Sequence, residues 1–227
     1  MQKSYALFDF DGTLIKGDSI VRFCTFAWRK KLCPTRTLLH GGVMAIAYAL
    51  KLATPERSKE AGLHFLVGKS EKEIANLSLA FCRQILAPKL YSQGKDEIAM
   101  HKAAGREVLL ITASPSFYLE PMKKILGVSD IIGTRMDIDM NGKHTGLICG
   151  ENCRGLQKPL RLAEYLAAKG DRLRYEDSYG YGDTSGDIPM MMLCANNVAV
   201  NPRRKLRAKL GEIQNIKAVR WGTSKRK

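Results

Sequence analysis

The sequence predicts an α/β protein: a Rossmann-like, doubly wound, mainly parallel sheet interrupted by an inserted helical cap. Three observations predict it. Short apolar runs alternate with amphipathic stretches along the 227 residues, the pattern of consecutive βαβ units. Several of those runs end in acidic or hydroxyl residues, which places polar chemistry at the strand ends where open α/β sheets bind ligands. A long segment with no strand-like run separates the first strand from the second. The core is therefore expected at residues 1–15 and 91–227, and the cap at 16–90.

Strands are expected near residues 5–10, 107–113, 130–138, 178–183 and 197–201, joined by right-handed connections. The first run, Tyr5-Ala6-Leu7-Phe8, leads into Asp9-Phe10-Asp11-Gly12-Thr13. Strand side chains alternate, so Asp9 and Asp11 project to the same side, and Gly12 lets the chain turn away steeply just beyond them. Two like charges a few ångströms apart repel by roughly 4 kcal/mol at an effective dielectric of about 20. Such a pair persists with a cation or a shared proton, and a hard divalent metal would resolve it. A plain Asp-Gly turn is the bland alternative; three further segments weigh against it.

Glu107-Val108-Leu109-Leu110-Ile111 is a second apolar run, ending in Thr112, Ala113 and Ser114, with Pro115 placed to open a helix. Lys158 precedes Pro159 and an amphipathic stretch, Leu160 to Lys169, that Gly170 closes. Tyr179-Gly180-Tyr181-Gly182 then leads into Asp183 and, four residues later, Asp187. Asn141-Gly142 reads as a hairpin turn between 136–138 and 145–148, decorating one edge of the sheet.

With these four segments, in this order, the chain resembles the haloacid dehalogenase-like hydrolase superfamily and its phosphoserine phosphatase-like subfamily. The first motif of that family is matched by Asp9, Asp11, Gly12, Thr13 and Leu14, the second by Thr112, the third by Lys158 and the fourth by Gly182, Asp183 and Asp187. The resemblance implies hydrolysis of a phosphate monoester with Mg²⁺ as cofactor. Asp9 would be the nucleophile, forming an aspartyl-phosphate that splits one difficult displacement into two. Asp11 would protonate the leaving oxygen and later serve as base, which requires its pKa to rise from about 3.9. Asp9, Asp183 and the backbone carbonyl of Asp11 would hold the metal, with Asp187 in the outer shell. Thr112 and Lys158 would hold phosphoryl oxygens, with Ala113 and Ser114 beside them on the substrate. Asp18 stands where phosphoserine enzymes carry a glutamate for the substrate amine, and Arg22 nearby could grip a carboxylate or phosphate.

The expected substrate is a small or amphiphilic anionic phosphate ester. Phosphatidylglycerophosphate at a membrane surface and phosphoserine are the named alternatives, and a silent fold that binds nucleic acid or membrane is the non-enzyme alternative. Intact Asp9, Asp11, Lys158 and Asp183 argue against a silent fold. Nucleic acid is disfavoured because the basic tail has no interleaved aromatics beyond Trp221.

The segment between Leu14 and Glu107 holds three apolar-periodic stretches, Ile20 to Trp28, Leu38 to Leu52 and Ile74 to Leu86, expected as cap helices, which the family resemblance places over the phosphate pocket. The formal net charge is +15, concentrated as +8 in residues 16–90 and +9 in residues 203–227. Leu38 to Leu50 is too short to span a bilayer, which takes about 20 apolar residues. Arg29, Lys30, Lys31 and Arg36 precede it and Lys51 follows, a pattern compatible with peripheral contact with an anionic membrane. Leu206, Leu210 and Ile213 are spaced as a terminal helix, and Lys225 to Lys227 are expected to fray.

No basic leader or long apolar core opens the chain, so a cytoplasmic setting is expected, with peripheral contact at the inner face of the membrane as its extension. The six cysteines are then reduced thiols. Cys149 and Cys153 lack a second close pair, a poor structural zinc signature, and the four histidines show no metal-ligand spacing.

Overall fold

The structure, a computed structural model, describes residues 1–222; the Lys225–Lys227 segment lies outside the described residues. In chain order its elements begin with β1 (Gln2–Lys3), β2 (Tyr5–Phe8), α1 (Ser19–Arg29), α2 (Thr35–Ala49), α3 (Pro55–Leu63), α4 (Glu71–Phe81) and α5 (Ser92–Ala103). There follow β3 (Glu107–Pro115), α6 (Ser116–Leu126), β4 (Asp130–Thr134), β5 (Met136–Ile138), β6 (His144–Ile148) and α7 (Gln157–Lys169). The chain closes with β7 (Arg172–Leu173), β8 (Tyr179–Gly182), α8 (Ile188–Met191), β9 (Asn196–Val200), α9 (Arg204–Arg207) and β10 (Ile216–Val219).

The central sheet has six strands in the order β10-β9-β8-β2-β3-β4, every neighbouring pair parallel. A parallel sheet covered on both faces needs apolar residues at every position, and all four residues of β2 are buried. Ala6 and Phe8 face one core, with Val108, Leu110, Tyr118 and Ile98, while Tyr5 and Leu7 face the other, with Leu109, Ile111, Leu162 and Met190. Thus α5 and α6 cover one face and α7 and α8 the other, which is the doubly wound arrangement.

Three expectations are corrected. The run at 130–138 is two strands: β4 ends at Thr134, and after Arg135 the chain leaves the sheet as β5. The β5–β6 hairpin forms a separate two-stranded sheet and does not decorate the edge of the central one. Its backbone bonds instead run to the helical segment, from the Gly68 N–H to the His144 carbonyl (2.9 Å) and from the His144 N–H to the Lys69 carbonyl (3.0 Å). The terminal helix shrinks to the single turn of α9 and a 3₁₀ turn at Leu210–Glu212, after which Ile216–Val219 adds a sixth parallel strand. Leu206 and Ile213 are still buried, but against Ala199 of the sheet.

Residues 19–89 form helices joined by short turns, with α4 running on through a π turn at Cys82–Leu86 and a 3₁₀ turn at Ala87–Lys89. Asp18 caps α1 by accepting the Ile20 N–H (2.9 Å), and Ser70 with Glu73 forms a capping box on α4. The two connections to this segment are tied together: Ile15 bridges Leu90, and the Tyr91 N–H donates to the Leu14 carbonyl (2.9 Å). Its inner side is aromatic. Phe23 stacks on Tyr118 of α6 with centroids 4.7 Å apart and meets Phe81 edge-on at 5.2 Å, so helical insertion and sheet share one core.

Two predictions follow from this packing. Phe23→Ala should cost about 3–5 kcal/mol in denaturant unfolding, with insertion and sheet lost in one transition; two separated transitions would contradict the shared core. His101 is fully buried, with Nε2 2.7 Å from the Tyr181 hydroxyl. Burial, followed by the Arg106 charge, pushes its imidazole down from 6.5 to about 4. The unfolded chain then binds the extra proton, so this residue's contribution is complete above about pH 6.5 and is lost as pH falls towards 4. His101→Gln should remove that increment from the slope of stability against pH; an unchanged slope would contradict it.

Candidate active site

The strand order reverses between β2 and β8: from β2 the chain builds outward through β3 and β4, then crosses to β8, β9 and β10. Ligands bind outside the carboxyl ends of strands at such a switch point. Asp9 follows β2 and Asp183 follows β8, so the two carboxylates leave neighbouring strands at that crevice. The Asp9 N–H is pinned to the Tyr181 carbonyl at 2.9 Å. Gly12 sits at φ +93°, and a Cβ there would lie 2.2 Å from Asp183 Oδ2. A Cβ on Gly182 would lie 2.4 Å from that of Asp187. Both glycines are required by the closeness of the acidic turns.

Lys158, in the first turn of α7, is buried with its Nζ 2.7 Å from Asp9 Oδ1 and 2.6 Å from Asp187 Oδ1. Asp187 Oδ2 accepts the backbone N–H and the hydroxyl of Thr184, both at 2.9 Å. Asp9 Oδ2 keeps one long bond, from the Thr13 hydroxyl at 3.3 Å. Asp183 Oδ2 pairs with Arg203 Nε at 2.7 Å, while its Oδ1 is buried with no partner among the described residues. One carboxylate oxygen from each of Asp9, Asp183 and Asp187 falls within 4.8 Å of the others.

Electrostatics mark this cluster as short of positive charge. Burial, then the charges of Asp9 and Asp187, pushes the Asp183 carboxyl up to about 7 against the pull of Arg203. Burial likewise raises Asp9 to about 6, although Lys158 opposes it. Burial alone would lower the Lys158 ammonium, but Asp187 and Asp9 outweigh it and hold it above the usual lysine range. An unpartnered buried oxygen among crowded carboxylates suits a small hard cation with oxygen ligands.

Asp11 takes a different place. Its carboxylate accepts the N–H of Ser19 (2.7 Å) and the hydroxyls of Ser19 (2.8 Å) and Ser114, and the Ser19 hydroxyl also meets that of Tyr118 (2.9 Å). Ser19 begins α1, so this acid ties the helical segment to the sheet. Burial, then the Asp18 charge, raises Asp11 to about 7 despite the serine bonds.

Above these residues lies a cavity of about 280 Å³, walled on the sheet side by Asp9, Asp11, Thr112, Lys158, Asp183 and Asp187. Ala113 and Ser114 also line it, and the Thr112 hydroxyl accepts the Ser114 N–H at 3.1 Å. Asp18 lines it from the opposite side while capping α1. Arg22 does not: its guanidinium donates to the Lys16 carbonyl (2.9 Å), outside the cavity lining. The other expected site residues are brought together.

Sequence reasoning missed much of the lining, including Lys59, Asn152, Arg154, Tyr48 and Arg203. Lys59 of α3 donates to Asn152 Oδ1 (2.6 Å) and to the Ala113 carbonyl, and burial lowers its ammonium to about 8. Arg154 meets the Tyr48 hydroxyl of α2. Lys59 stands among Glu56, Arg57 and Glu60, in what reads as an ordinary charged helix, so only the fold shows that it points inward.

Residues 6–192 match the family model for haloacid dehalogenase-like hydrolases. The chain belongs to this family. It is 28% identical over 206 residues to a histidinol-phosphatase of Neisseria meningitidis, a match covering 90% of this chain and 93% of the relative. It is 29% identical over 212 residues to the phosphoserine phosphatase SerB1 of Mycobacterium tuberculosis, covering 89% and 66% respectively. A Bordetella pertussis protein of unknown function superposes with a TM-score of 0.83 at 28% identity, covering 95% of this chain and 98% of the other. Family and phosphatase relatives make the chain a phosphoric monoester hydrolase of the phosphoserine phosphatase-like kind.

The unpartnered Asp183 oxygen yields a measurable expectation. Saturating Mg²⁺ should raise the wild-type melting temperature by several degrees, since binding at about 100 times Kd adds about 2.7 kcal/mol. Asp183→Asn should abolish that rise; a rise of wild-type size in the variant would place the cation elsewhere.

Proposed function

We propose that this chain is a Mg²⁺-dependent phosphatase that hydrolyses a phosphate monoester through an aspartyl-phosphate on Asp9. The observation that carries this reading is the bridge from Lys158 to Asp9 Oδ1 and Asp187 Oδ1, which fixes the Asp9 carboxylate by one oxygen and leaves Oδ2 lightly bonded.

Oδ2 of Asp9 can then attack phosphorus while the ester oxygen departs and takes a proton from Asp11. Held near 7, Asp11 is protonated in a sizeable fraction of molecules at neutrality. In the second step Asp11, now a carboxylate, takes a proton from water, whose oxygen bonds to phosphorus as the Asp9–phosphorus link breaks. The Thr112 hydroxyl has its acceptor side occupied by the Ser114 N–H, so its proton is free for a phosphoryl oxygen. Lys158 supplies a second fixed donor beside it. Asp9, Asp183 and the Asp11 carbonyl would hold Mg²⁺, with Asp187 behind. When bound, the ion offsets the repulsion between substrate phosphate and carboxylates and spreads the charge of transfer.

The organic half of the substrate lies towards the helical segment. There an apolar pocket of about 160 Å³, between α1, α2 and α3, adjoins the cavity and shares Ile20, Val21, Ala45, Ser58 and Lys59 with it. Asp18 offers a counter-charge for an amine. A compact amino-alcohol phosphate with a ring, such as histidinol phosphate, suits both features, and the meningococcal relative is named for that activity. Phosphoserine fits less well, because Arg22 is turned away and its carboxylate would fall to Lys59 or Arg154. The apolar pocket also favours a second reading, an amphiphilic ester such as phosphatidylglycerophosphate.

Asp9→Asn should lower turnover by on the order of 10⁴ or more while the fold persists. Phosphorus label from substrate should stay on acid-quenched wild type and not on the variant; full activity without Asp9 would refute the assignment. Phosphate release from histidinol phosphate, phosphoserine and phosphatidylglycerophosphate, with and without Mg²⁺, ranks the substrate readings.

A further inference from the structure

The helix α2 has an outer surface that nothing among the described residues covers. Its sequence, Thr35–Ala49, is apolar on nearly every side, and Thr37 is its one buried residue. A helix that is hydrophobic all round belongs in a core or at a lipid boundary. Here the inner side, with Leu38, Gly41 and Ala45, borders the apolar pocket. The outer side carries Leu39, Val43, Ile46 and, just past its end, Leu50, spaced by four, three and four residues and 65%, 62%, 63% and 65% exposed. Residues repeating at that interval form one continuous stripe. Leu52, 78% exposed, extends it.

Charge identifies what covers the stripe. Between Asp18 and Glu56 the sequence contains no acidic residue, and it holds Arg22, Arg29, Lys30, Lys31, Arg36 and Lys51. All of these except Arg22 are exposed, with Arg29, Lys30, Lys31 and Arg36 before the stripe and Lys51 after it. A second copy seated on the same stripe would bring two such surfaces together within a Debye length of about 8 Å, where like charges still repel. An anionic leaflet has the opposite sign, and each basic side chain near it contributes about 1 kcal/mol. Fifteen residues fall short of the roughly 20 needed to cross a bilayer, and no helix among the described residues is long and apolar enough to do so.

From these observations we infer that α2 docks the enzyme on an anionic lipid surface, its Leu39–Leu50 stripe among the headgroups and its flanking lysines and arginines on lipid phosphates. The helix lies in the interface plane, as amphipathic anchors do. Ala45 and Tyr48 of the same helix line the catalytic cavity, so docking sets that cavity beside the membrane. The inference rests on this surface alone and stands or falls separately from the identity of the phosphate ester.

Sedimentation with vesicles tests it, using phosphatidylcholine alone or mixed with phosphatidylglycerol. The wild-type chain should pellet with the mixed vesicles at about 0.1 M salt, and salt near 1 M should release it. The triple variant Leu39→Gln, Val43→Gln, Ile46→Gln changes only exposed side chains, so p-nitrophenyl phosphate hydrolysis should match wild type. Its partition onto the mixed vesicles should fall at least tenfold, as should that of the pair Lys30→Glu, Lys31→Glu. Wild type left in the supernatant, or a triple variant that binds as wild type does, would overturn the inference. A wild-type dimer in light scattering that the triple variant dissolves would overturn it too, by assigning the stripe to a second copy.

Discussion

The ammonium of Lys158, held between Asp9 and Asp187 at 2.7 and 2.6 Å, is the interaction on which the rest of the site depends. Three buried carboxylates at one sheet edge would repel one another strongly in a low-dielectric interior. Lys158 from inside and Arg203 from outside meet two of the three charges, which leaves the cluster one negative charge in excess. A phosphate dianion would make that excess three, and a divalent cation brings it back to one. The unpartnered oxygen of Asp183 is the local sign of the same deficit. Parallel topology, the positive φ of Gly12 and the close approach at Gly182 all serve to bring these groups into contact.

Helices and chemistry are coupled through Asp11 and Tyr118. The carboxylate of Asp11 takes three bonds from Ser19 and Ser114, and Ser19 opens the first helix of the insertion. Tyr118 shares the Ser19 hydroxyl and stacks on Phe23 of that helix. A proton on Asp11 therefore alters an anchor of the helical segment as well as the group we propose as acid and base. Lys59 makes a second tie, from α3 to the backbone of β3.

Much of this was legible in the sequence, because local patterns with few alternatives specify it. Asp9-Phe10-Asp11-Gly12 after an apolar run fixes a strand end, and Gly182-Asp183 fixes the neighbouring one. What sequence could not supply was orientation across long separations. Asp9 and Lys158 lie 149 residues apart, and no local pattern says that they touch. Arg22 and Lys59 look alike as helical cations, yet one is bonded outside the cavity and the other points into it. The tail failed for another reason: Leu206 and Ile213 are spaced as a helix would be, but Ala199 of the sheet was available to bury them. Tertiary packing overrode the helical period there, and β10 formed beyond it.

The most direct measurement of the central claim is a crystal structure of the protein grown with Mg²⁺ and beryllium fluoride, a mimic of a transferred phosphoryl group. The account predicts a trifluoroberyllate adduct whose beryllium is bonded to an Asp9 carboxylate oxygen, with the metal ligated by Asp9, Asp183 and the Asp11 carbonyl, and with Lys158 and Thr112 on the fluorines. An adduct on any other side chain, or a metal bound away from Asp183, would contradict it.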